Sequence, residues 1–260
     1  SKFVPDASGK PVAAPELSVV PELQAKTIKL PVADALTPEA SLGRKLFHDA
    51  TDARISANDA VSCATCHPDG RTDGRTWQFV FGPRNTPQLG GSILDTAPFH
   101  WPGDVTTVAD LNRMTVLPFM GGTGLDAGNF QYIAAYIGQL RAAPSLTAVR
   151  TLTAQEQHGK TLFESDSTTC TSCHAGAHFT DNLNHNIGTS ARNAPGGSDI
   201  TDFQTPVLHG LNRSAPYLHD GSQATLEDLV KNVVRTDKMG HGSDLTDQDA
   251  SDLVAYLKTL

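Results

Sequence analysis

Four cysteines and two histidines, grouped in two short motifs, are the residues of this 260-residue chain best suited to chemistry. The motifs are Cys63-Ala64-Thr65-Cys66-His67 and Cys170-Thr171-Ser172-Cys173-His174. Each has the C-x-x-C-H spacing that attaches a c-type haem: two thiols add to the vinyl groups of one porphyrin, and the adjacent histidine binds the iron. The motifs use all four cysteines, so the sequence predicts two covalently bound haem c groups.

This interpretation assigns a role to each chemical group of the two motifs. The four thioether links are formed by Cys63, Cys66, Cys170 and Cys173. The proximal iron ligands are His67 and His174, because the covalent links hold each porphyrin beside its histidine. Two disulfides, or one zinc site of cysteine and histidine, are the alternative interpretations. Neither alternative requires a histidine directly after both cysteine pairs, and this favours haem.

The composition of the chain narrows its class further. The formal net charge is -8, to which haem propionates would add, so a nucleic-acid partner is not expected. The chain has no run of about 18 apolar residues, so the sequence predicts no membrane span. Since haem is attached to c-type cytochromes outside the bacterial cytoplasm, we expect a periplasmic or otherwise exported protein whose export signal has been removed.

Two short repeats show how the chain is organised around the motifs. The segment LGRKLF at 42–47 is echoed by HGKTLF at 158–163, and each copy precedes a haem motif. The segment AYIGQL at 135–140 is echoed by AYLKTL at 255–260, near the end of each half. The pattern indicates a tandem duplication, in which each half runs from a helix through a haem motif and a long middle to a closing amphipathic helix.

These features predict a mostly α fold with two tandem cytochrome-c-like domains, each wrapped around one haem c. The first helix is expected to begin with Thr37 as its N-cap and Pro38 in its first turn. Because the middle of each half is rich in Gly, Pro, Asn and Asp, we expect long loops there without strand alternation. The predicted divisions are a proline-rich N-terminal arm at 1–35, an N-terminal domain at 36–147 and a C-terminal domain at 148–260.

Several motifs carry a resemblance to a known family. They are Leu42-Gly43-Arg44-Lys45-Leu46-Phe47, Gly82-Pro83-Arg84-Asn85-Thr86-Pro87, Ala215-Pro216-Tyr217-Leu218-His219-Asp220-Gly221-Ser222 and Thr225-Leu226-Glu227-Asp228-Leu229-Val230. With the closing helix, they make residues 36–260 resemble the bacterial di-haem cytochrome c peroxidases and the related maturation protein of methylamine dehydrogenase. The resemblance implies haems that face a shared interface, with peroxide reacting at the N-terminal haem and electrons relayed by the C-terminal haem.

The resemblance also implies roles for residues near that interface. Trp101 matches the family tryptophan between the haems, which assists electron transfer. Asn85 matches a side-chain ligand of the family's calcium ion, and Ser214 and Pro216 match positions that offer backbone carbonyls; oxygen ligands suit this hard cation. Arg84 is a candidate partner for a haem propionate, because a guanidinium group matches the geometry of a carboxylate.

The sixth iron ligands have no motif of their own. For the C-terminal haem, Met239 is the favoured ligand and His241 the alternative; a thioether ligand raises the reduction potential, which suits an electron relay. For the N-terminal haem, Thr76 stands at the position of the family's displaceable distal histidine. That site is therefore either open or occupied by another residue. The candidates are Met120, His100 and Met114.

One departure from the family bears directly on the reaction. Phe119 stands where the family has a glutamate before a Met-Gly pair, and a phenyl ring cannot move the proton that peroxide cleavage requires. We still expect hydrogen peroxide reduction, with electrons passing from the C-terminal to the N-terminal haem. The alternatives are a non-catalytic di-haem electron carrier and a cytochrome module of a larger oxidase. The expected electron donor is a small cytochrome c or cupredoxin, and the resemblance implies a homodimer.

Overall fold

The computed structural model describes residues 3–5, 11–13, 35–79, 82–142, 145–192 and 199–260. The chain divides into two units, residues 1–35 and residues 36–260. In the first unit, strand β1 (Phe3–Pro5) pairs with strand β2 (Pro11–Ala13) in antiparallel register, with Val4 opposite Val12. The remainder of the predicted proline-rich arm lies outside the described residues.

The first half of the second unit contains three α-helices and one short hairpin among its described residues. In chain order these are α1 (Pro38–His48), α2 (Cys63–Cys66), β3 (Thr76–Phe79), β4 (Gly82–Asn85) and α3 (Ala127–Ile137). A π-helical segment, Asn112–Met120, precedes α3. The predicted start of α1 is confirmed, because Pro38 opens the helix and the Thr37 side chain accepts a hydrogen bond from Ala40 N at 3.2 Å.

The second half repeats this plan with longer strands. Its elements are α4 (Ala154–Phe163), β5 (Asn184–Arg192), β6 (Asp199–Gln204), α5 (Leu226–Asn232) and α6 (Asp247–Leu257). At the start of α4, Thr153 and Glu156 each bond the other's backbone N–H, which satisfies amide groups that a helix start leaves free. The mostly α fold that the sequence predicts is confirmed.

Single turns of 3-10 helix connect these elements. They lie at Ala57–Asp59, Pro68–Gly70, Ile93–Thr96, Val108–Asp110, Leu146–Ala148, Cys170–Ser172, Leu211–Arg213 and Val234–Thr236. No helix in the described part of the chain combines the length and the apolar character needed to cross a bilayer.

One kind of helix crossing is used in both halves. Helix α1 packs against α3, and α4 packs against α6. A Cβ atom added to Gly43 of α1 would lie 1.8 Å from the Tyr132 carbonyl oxygen of α3. The same atom on Gly159 of α4 would lie 1.9 Å from the Asp252 carbonyl oxygen of α6. Both glycines lie in the repeated segment before the haem motif. Glycine is needed at this position of the repeat because a larger residue would clash with the facing helix.

An aromatic pair lies beside each crossing. The rings of Phe47 and Tyr136 are 5.2 Å apart in the first half, and those of Phe163 and Tyr256 are 5.5 Å apart in the second. Buried apolar residues surround each pair and form two cores, one drawn from residues 40–137 and the other from residues 163–260. The two segments that repeat in the sequence thus meet in space, once in each half.

The long middle stretches contain two antiparallel hairpins, so the expectation of loops without strands is wrong there. Strands β3 and β4 pair with Trp77 opposite Arg84, and strands β5 and β6 pair with His185 opposite Phe203. Half-buried and exposed residues alternate along β5, but several half-buried ones are polar. The period-2 apolar signal that reveals a strand in a sequence is therefore absent.

The helix crossing gives a direct test of the fold. Gly43→Ala should lower the free energy of unfolding by about 1–3 kcal/mol, because overpacking a close contact typically costs this much. Chemical denaturation followed by far-ultraviolet circular dichroism measures the change. Lys45→Ala, an exposed change in the same helix, is the matched control and should have little effect. Equal stability of the two variants would show that α1 and α3 do not approach this closely.

Candidate haem sites and the contact between the two halves

The first C-x-x-C-H motif is folded as a single helical turn. Cys63 to Cys66 form α2, with Ser62 as N-cap and Ser62 N donating to Thr65 Oγ1 at 2.9 Å. The backbone N–H of His67 donates to the Cys63 carbonyl at 2.9 Å, so the imidazole begins directly beyond the turn that holds both thiols. This local geometry brings the two thiols and the imidazole to one short surface, as attachment of a single porphyrin requires.

The second motif has the same local bond and a better-defined imidazole. His174 N donates to the Cys170 carbonyl at 2.9 Å, and His174 Nδ1 lies 2.9 Å from the Phe179 carbonyl oxygen. A carbonyl only accepts, so Nδ1 carries the hydrogen and Nε2 keeps the lone pair that binds a metal. In the first motif, His67 Nδ1 is buried without a hydrogen-bond partner, although the backbone of Arg71 and Pro87 lies close to the ring.

Burial sets the protonation of the motif residues. It raises the pKa of the Cys63 and Cys66 thiols to about 11 and lowers the pKa of the His67 imidazole to about 4. Burial also lowers the pKa of His174. Neutral histidine is the form that binds iron, and an apolar site suits a neutral thioether better than a thiolate. These surroundings fit haem attachment better than a zinc site of thiolates.

The geometry of the cysteines also bears on the disulfide and metal alternatives. All four cysteines lie in described segments, and none forms a disulfide. Within the described residues, Cys173, Asp181 and His185 bring three atoms that could bind a metal within 4.8 Å of one another. His185 Nε2 and Asp181 Oδ2 are already hydrogen-bonded at 2.7 Å. A Cys173 sulfur committed to a thioether leaves this group with two effective ligands, so it does not compete with haem.

The candidate sixth ligands of the N-terminal haem lie in different settings. His100 Nδ1 is 3.1 Å from Asp104 Oδ1, and His100 Nε2 is 3.4 Å from Thr115 Oγ1, so both ring nitrogens have partners. Met120, at the end of the π-helical segment, is half-buried against the N-terminal core. Met114 of the same segment is also half-buried. The open site and these three residues stay alternatives.

The candidate sixth ligands of the C-terminal haem lie on a loop that docks beside the second motif. The N–H of His241 donates to the Thr168 carbonyl at 2.9 Å, and a Cβ on Gly240 would lie 2.5 Å from that oxygen. Thr168 directly precedes Thr169 and Cys170, so this backbone contact brings the loop to the haem motif. Met239 packs against the C-terminal core, whereas the His241 side chain is exposed. This arrangement favours Met239.

Asn85 joins the two halves through a set of buried hydrogen bonds. Its carbonyl accepts from Trp101 Nε1 at 2.8 Å, and its backbone N–H donates to the His219 carbonyl at 2.7 Å. Its side-chain Nδ2 lies beside the Pro216 carbonyl and 3.3 Å from the Leu218 carbonyl. The structure therefore brings together three predicted site residues, Trp101, Asn85 and Pro216, from opposite halves of the chain.

Two other predicted residues have contacts of a different kind. The Ser214 hydroxyl donates to the Gly210 carbonyl at 3.1 Å. Arg84 is half-buried, its Nη1 donates to the Pro83 carbonyl at 2.9 Å, and the charges of Asp104 and Asp220 act on it. Their roles as calcium and propionate partners stay predictions.

Sequence reasoning missed the residues that hold Trp101 from the second half. The Trp101 carbonyl accepts from Gln204 N at 2.9 Å, and Gln204 Nε2 reaches the Thr96 carbonyl at 3.1 Å. The Trp101 ring meets the edge of the His219 ring, with centroids 6.5 Å apart. His219 lies in a motif that the sequence displays, but nothing in its spacing indicates the partner. Gln204 carries no signal that could have found it.

Two family models match the chain, one in each half. The model described as di-haem cytochrome c peroxidase matches residues 37–148, and the model described as cytochrome c matches residues 156–260. Fold and motifs thus define a c-type cytochrome with two haem c groups. More particularly, residues 37–148 form a di-haem cytochrome c peroxidase domain and residues 156–260 a cytochrome c domain, and the resemblance seen in the sequence is confirmed.

Known proteins support this assignment. The methylamine utilization protein MauG of Methylorubrum extorquens is 28% identical, over 90% of this chain and 82% of its own length. Hydrazine synthase subunit gamma of Kuenenia stuttgartiensis is 29% identical, over 98% of this chain and 86% of its own length. A solved structure of Kuenenia stuttgartiensis hydrazine synthase has a TM-score of 0.73 at 22% identity, covering 95% of this chain and all of that one. That structural likeness bears on the fold alone.

The identity of the C-terminal sixth ligand can be tested by one pair of variants. Met239→Leu keeps a similar volume but removes the thioether, so the midpoint potential of the C-terminal haem should fall. His241→Leu is the matched control and should leave that potential unchanged. Redox titration with low-temperature electron paramagnetic resonance measures both. A shift in the His241 variant alone would assign the ligand to His241.

Proposed function

We propose that this protein is an exported di-haem enzyme that takes electrons at its C-terminal haem, passes them by Trp101 and reduces hydrogen peroxide at its N-terminal haem. The observation that carries the proposal is the contact at Asn85. Trp101 of the first half donates to the Asn85 carbonyl, Asn85 N donates to the His219 carbonyl of the second half, and the rings of Trp101 and His219 pack together. A close-packed contact between the halves favours electron transfer from one to the other. Membership of the peroxidase family supports the choice of substrate.

The residues that would hold the haems fit that task. Each motif presents two half-buried thiols on one turn, followed by an imidazole, and the His174 ring is fixed so that Nε2 keeps its lone pair. Bound haem would supply the iron that exchanges electrons and breaks the peroxide O–O bond. The chain would position that iron from one face through His67 and His174, and Met239 would approach the second motif through the loop docked on Thr168.

The reaction sets a demand for protons as well as electrons. One hydrogen peroxide takes up two electrons and two protons, its O–O bond breaks, and two water molecules form. Phe119 occupies the position of the family acid, and its ring lies 5.2 Å from that of Phe79 in a tilted contact. This apolar pair neither donates nor accepts a proton, so we expect peroxide reduction to be slow compared with a site that has the acid.

A two-haem electron carrier is the second candidate function, and Phe119 favours it. With Phe119 in place of an acid and a half-buried Met120 beside it, the N-terminal site could be filled by a protein ligand and closed to peroxide. A cytochrome module of a larger oxidase would have the same ligand arrangement. Spectroscopy of the wild-type protein separates these functions from the enzyme.

Reaction of the half-reduced protein with hydrogen peroxide tests the proposal. We expect a high-spin ferric signal from the N-terminal haem that is lost on addition of peroxide, with two electron equivalents consumed per peroxide. Low-temperature electron paramagnetic resonance and stopped-flow absorbance measure this. Two low-spin signals that peroxide leaves unchanged would establish the electron carrier instead.

A pair of variants tests the part played by the missing acid. Phe119→Glu should raise the rate of peroxide reduction by about 10²-fold or more, because a positioned acid contributes about 10²–10⁴-fold. Phe119→Gln has a similar shape but no titratable proton and should remain as slow as the wild type. The Phe119 side chain is exposed, so both changes should fold. Equal rates in the two variants would show that this position does not handle the proton.

We also propose that a calcium ion binds at Asn85. The residue is buried, and its side-chain Oδ1 has no hydrogen-bond partner, while the carbonyl oxygens of Pro216 and Leu218 lie beside the same amide. An unsatisfied buried acceptor among other oxygens is an expected environment for a hard cation. Ser214 would contribute its backbone carbonyl, and bound water would complete the set of ligands.

Calcium binding predicts a stability difference. At a calcium concentration 100 times its dissociation constant, the wild-type protein should gain about 2.7 kcal/mol, and Asn85→Leu should gain none. Thermal unfolding with and without a chelator measures the gain. Ser214→Ala keeps the backbone carbonyl and should respond to calcium like the wild type. A calcium response that survives Asn85→Leu would place the ion elsewhere.

The remaining proposals concern location and partners. Covalent haem attachment supports a periplasmic or otherwise exported protein. The formal charge of -8 is compatible with a basic docking surface on a small donor protein, for which a cytochrome c or a cupredoxin is proposed. A homodimer is proposed from the family alone.

A further inference from the structure

A row of aromatic rings leads away from Trp101 into the second half. The Trp101 ring meets the His219 ring edge to face, with centroids 6.5 Å apart and planes at 70°. The His219 ring in turn stacks on the Phe203 ring, with centroids 3.9 Å apart and planes at 9°. Phe203 is 5% exposed and His219 is 2% exposed, so the stack is shielded from water.

The far end of the row lies at the second haem motif. Phe203 of β6 is directly opposite His185 of β5 in the antiparallel ladder, and side chains of such pairs are neighbours on one face of a sheet. A ring nitrogen of His185 lies within 4.8 Å of Cys173 Sγ. Cys173 is the residue expected to link the C-terminal haem. The residues of the row therefore follow the order Cys173, His185, Phe203, His219 and Trp101, with direct ring contacts from Phe203 onward.

Packed rings are a favourable medium for electron transfer because tunnelling weakens steeply across gaps between atoms. The interior of a protein is close-packed, and a stack at 3.9 Å leaves no such gap. His219 is held in this position by its backbone as well, since its carbonyl accepts the N–H of Asn85 at 2.7 Å. The backbone of Ser190 also lies close to the ring. The stack is thus fixed from both halves of the protein.

We propose that Phe203 and His219 form an electron path from the C-terminal haem attachment to Trp101, a role that rests on the proposed function. With both haems bound, one electron at a time would pass from the C-terminal to the N-terminal haem, with no bond made or broken in the chain. No proton moves, because Trp101 Nε1 donates to the Asn85 carbonyl, which is not a base. His219 acts by contact with Trp101, and Phe203 acts through His219, so they are positioning residues and not catalytic ones.

Two substitutions of His219 separate the ring from its polar atoms. His219→Phe keeps an aromatic ring on Phe203 but removes the ring nitrogens. His219→Gln keeps a polar side chain but loses the ring. The measurement is the rate of electron exchange between the two haems after rapid half-reduction, without peroxide, together with the midpoint potential and absorption spectrum of each haem.

The path predicts that exchange slows about tenfold in His219→Gln and stays close to the wild-type rate in His219→Phe, with potentials and spectra unchanged in both. Phe203→Leu, which keeps a buried apolar side chain but no ring, should also slow exchange and provides the test if the Gln variant does not fold. A wild-type rate in the variants without a ring would overturn the path. A wild-type rate in His219→Gln with slowed exchange in His219→Phe would also overturn it, because the polar atoms of the side chain and not its ring would then carry the role.

These outcomes are distinct from failure of the proposed function. If the wild-type protein shows no exchange between its haems, electron transfer from one half to the other is wrong, and this path is wrong with it. If the wild-type protein exchanges electrons and the His219→Gln rate is unchanged, only the path through Phe203 and His219 is wrong.

Discussion

The hydrogen bonds of Asn85 are the constraint on which the joint between the two halves depends. Its backbone carbonyl accepts from Trp101, its backbone N–H donates to the His219 carbonyl, and its side chain lies against the carbonyls of Pro216 and Leu218. Because the residue is only 4% exposed, water cannot replace these partners, and leaving a buried group unsatisfied costs about 1–3 kcal/mol. The joint is therefore specified by geometry, and the proposed electron path and calcium site both depend on it.

The duplication supplies a common scaffold on which the two halves differ in the contacts of their haem motifs. Gly43 and Gly159 permit the same close helix crossing, and each crossing packs beside one haem motif. The proximal histidines differ, since His174 Nδ1 bonds to the Phe179 carbonyl and His67 Nδ1 has no hydrogen-bond partner. A fixed imidazole with a donated hydrogen would be a more basic iron ligand. The two motifs would therefore offer bound haem unequal surroundings, which is compatible with the proposed difference between the two haems.

The matched family models identify a di-haem redox scaffold, but they say less about the substrate. The relatives include proteins of methylamine utilization and of hydrazine synthase, so similar chains take part in different chemistry. In this chain, Phe119 pairs with Phe79 where the family has an acid, which weakens the case for fast peroxide cleavage. The contact between the halves has no such weakness. Electron transfer within the protein is therefore the part of the proposal that the described residues support best.

The sequence by itself determined the features that depend on covalent spacing. Two C-x-x-C-H motifs indicated two haems, the repeats around Gly43 and Gly159 indicated a duplicated helical fold, and Thr37 with Pro38 marked the first helix. Each of these is a local pattern, because a thiol pair, a cap or a helix repeat is defined within a few residues. The absence of the family acid at Phe119 was visible for the same reason.

Only the tertiary structure decided which distant residues meet. Asn85 and Pro216 are 131 residues apart in the chain, and no periodicity relates them. The stacking of His219 on Phe203 depends on the register of β5 with β6, a hairpin whose half-buried face is partly polar and so leaves no apolar alternation in the sequence. The docking of the Met239 loop on Thr168 uses backbone atoms, which are the same in every residue and carry no sequence signal. Contacts of this kind arise from packing in three dimensions, and the order of residues along the chain does not display them.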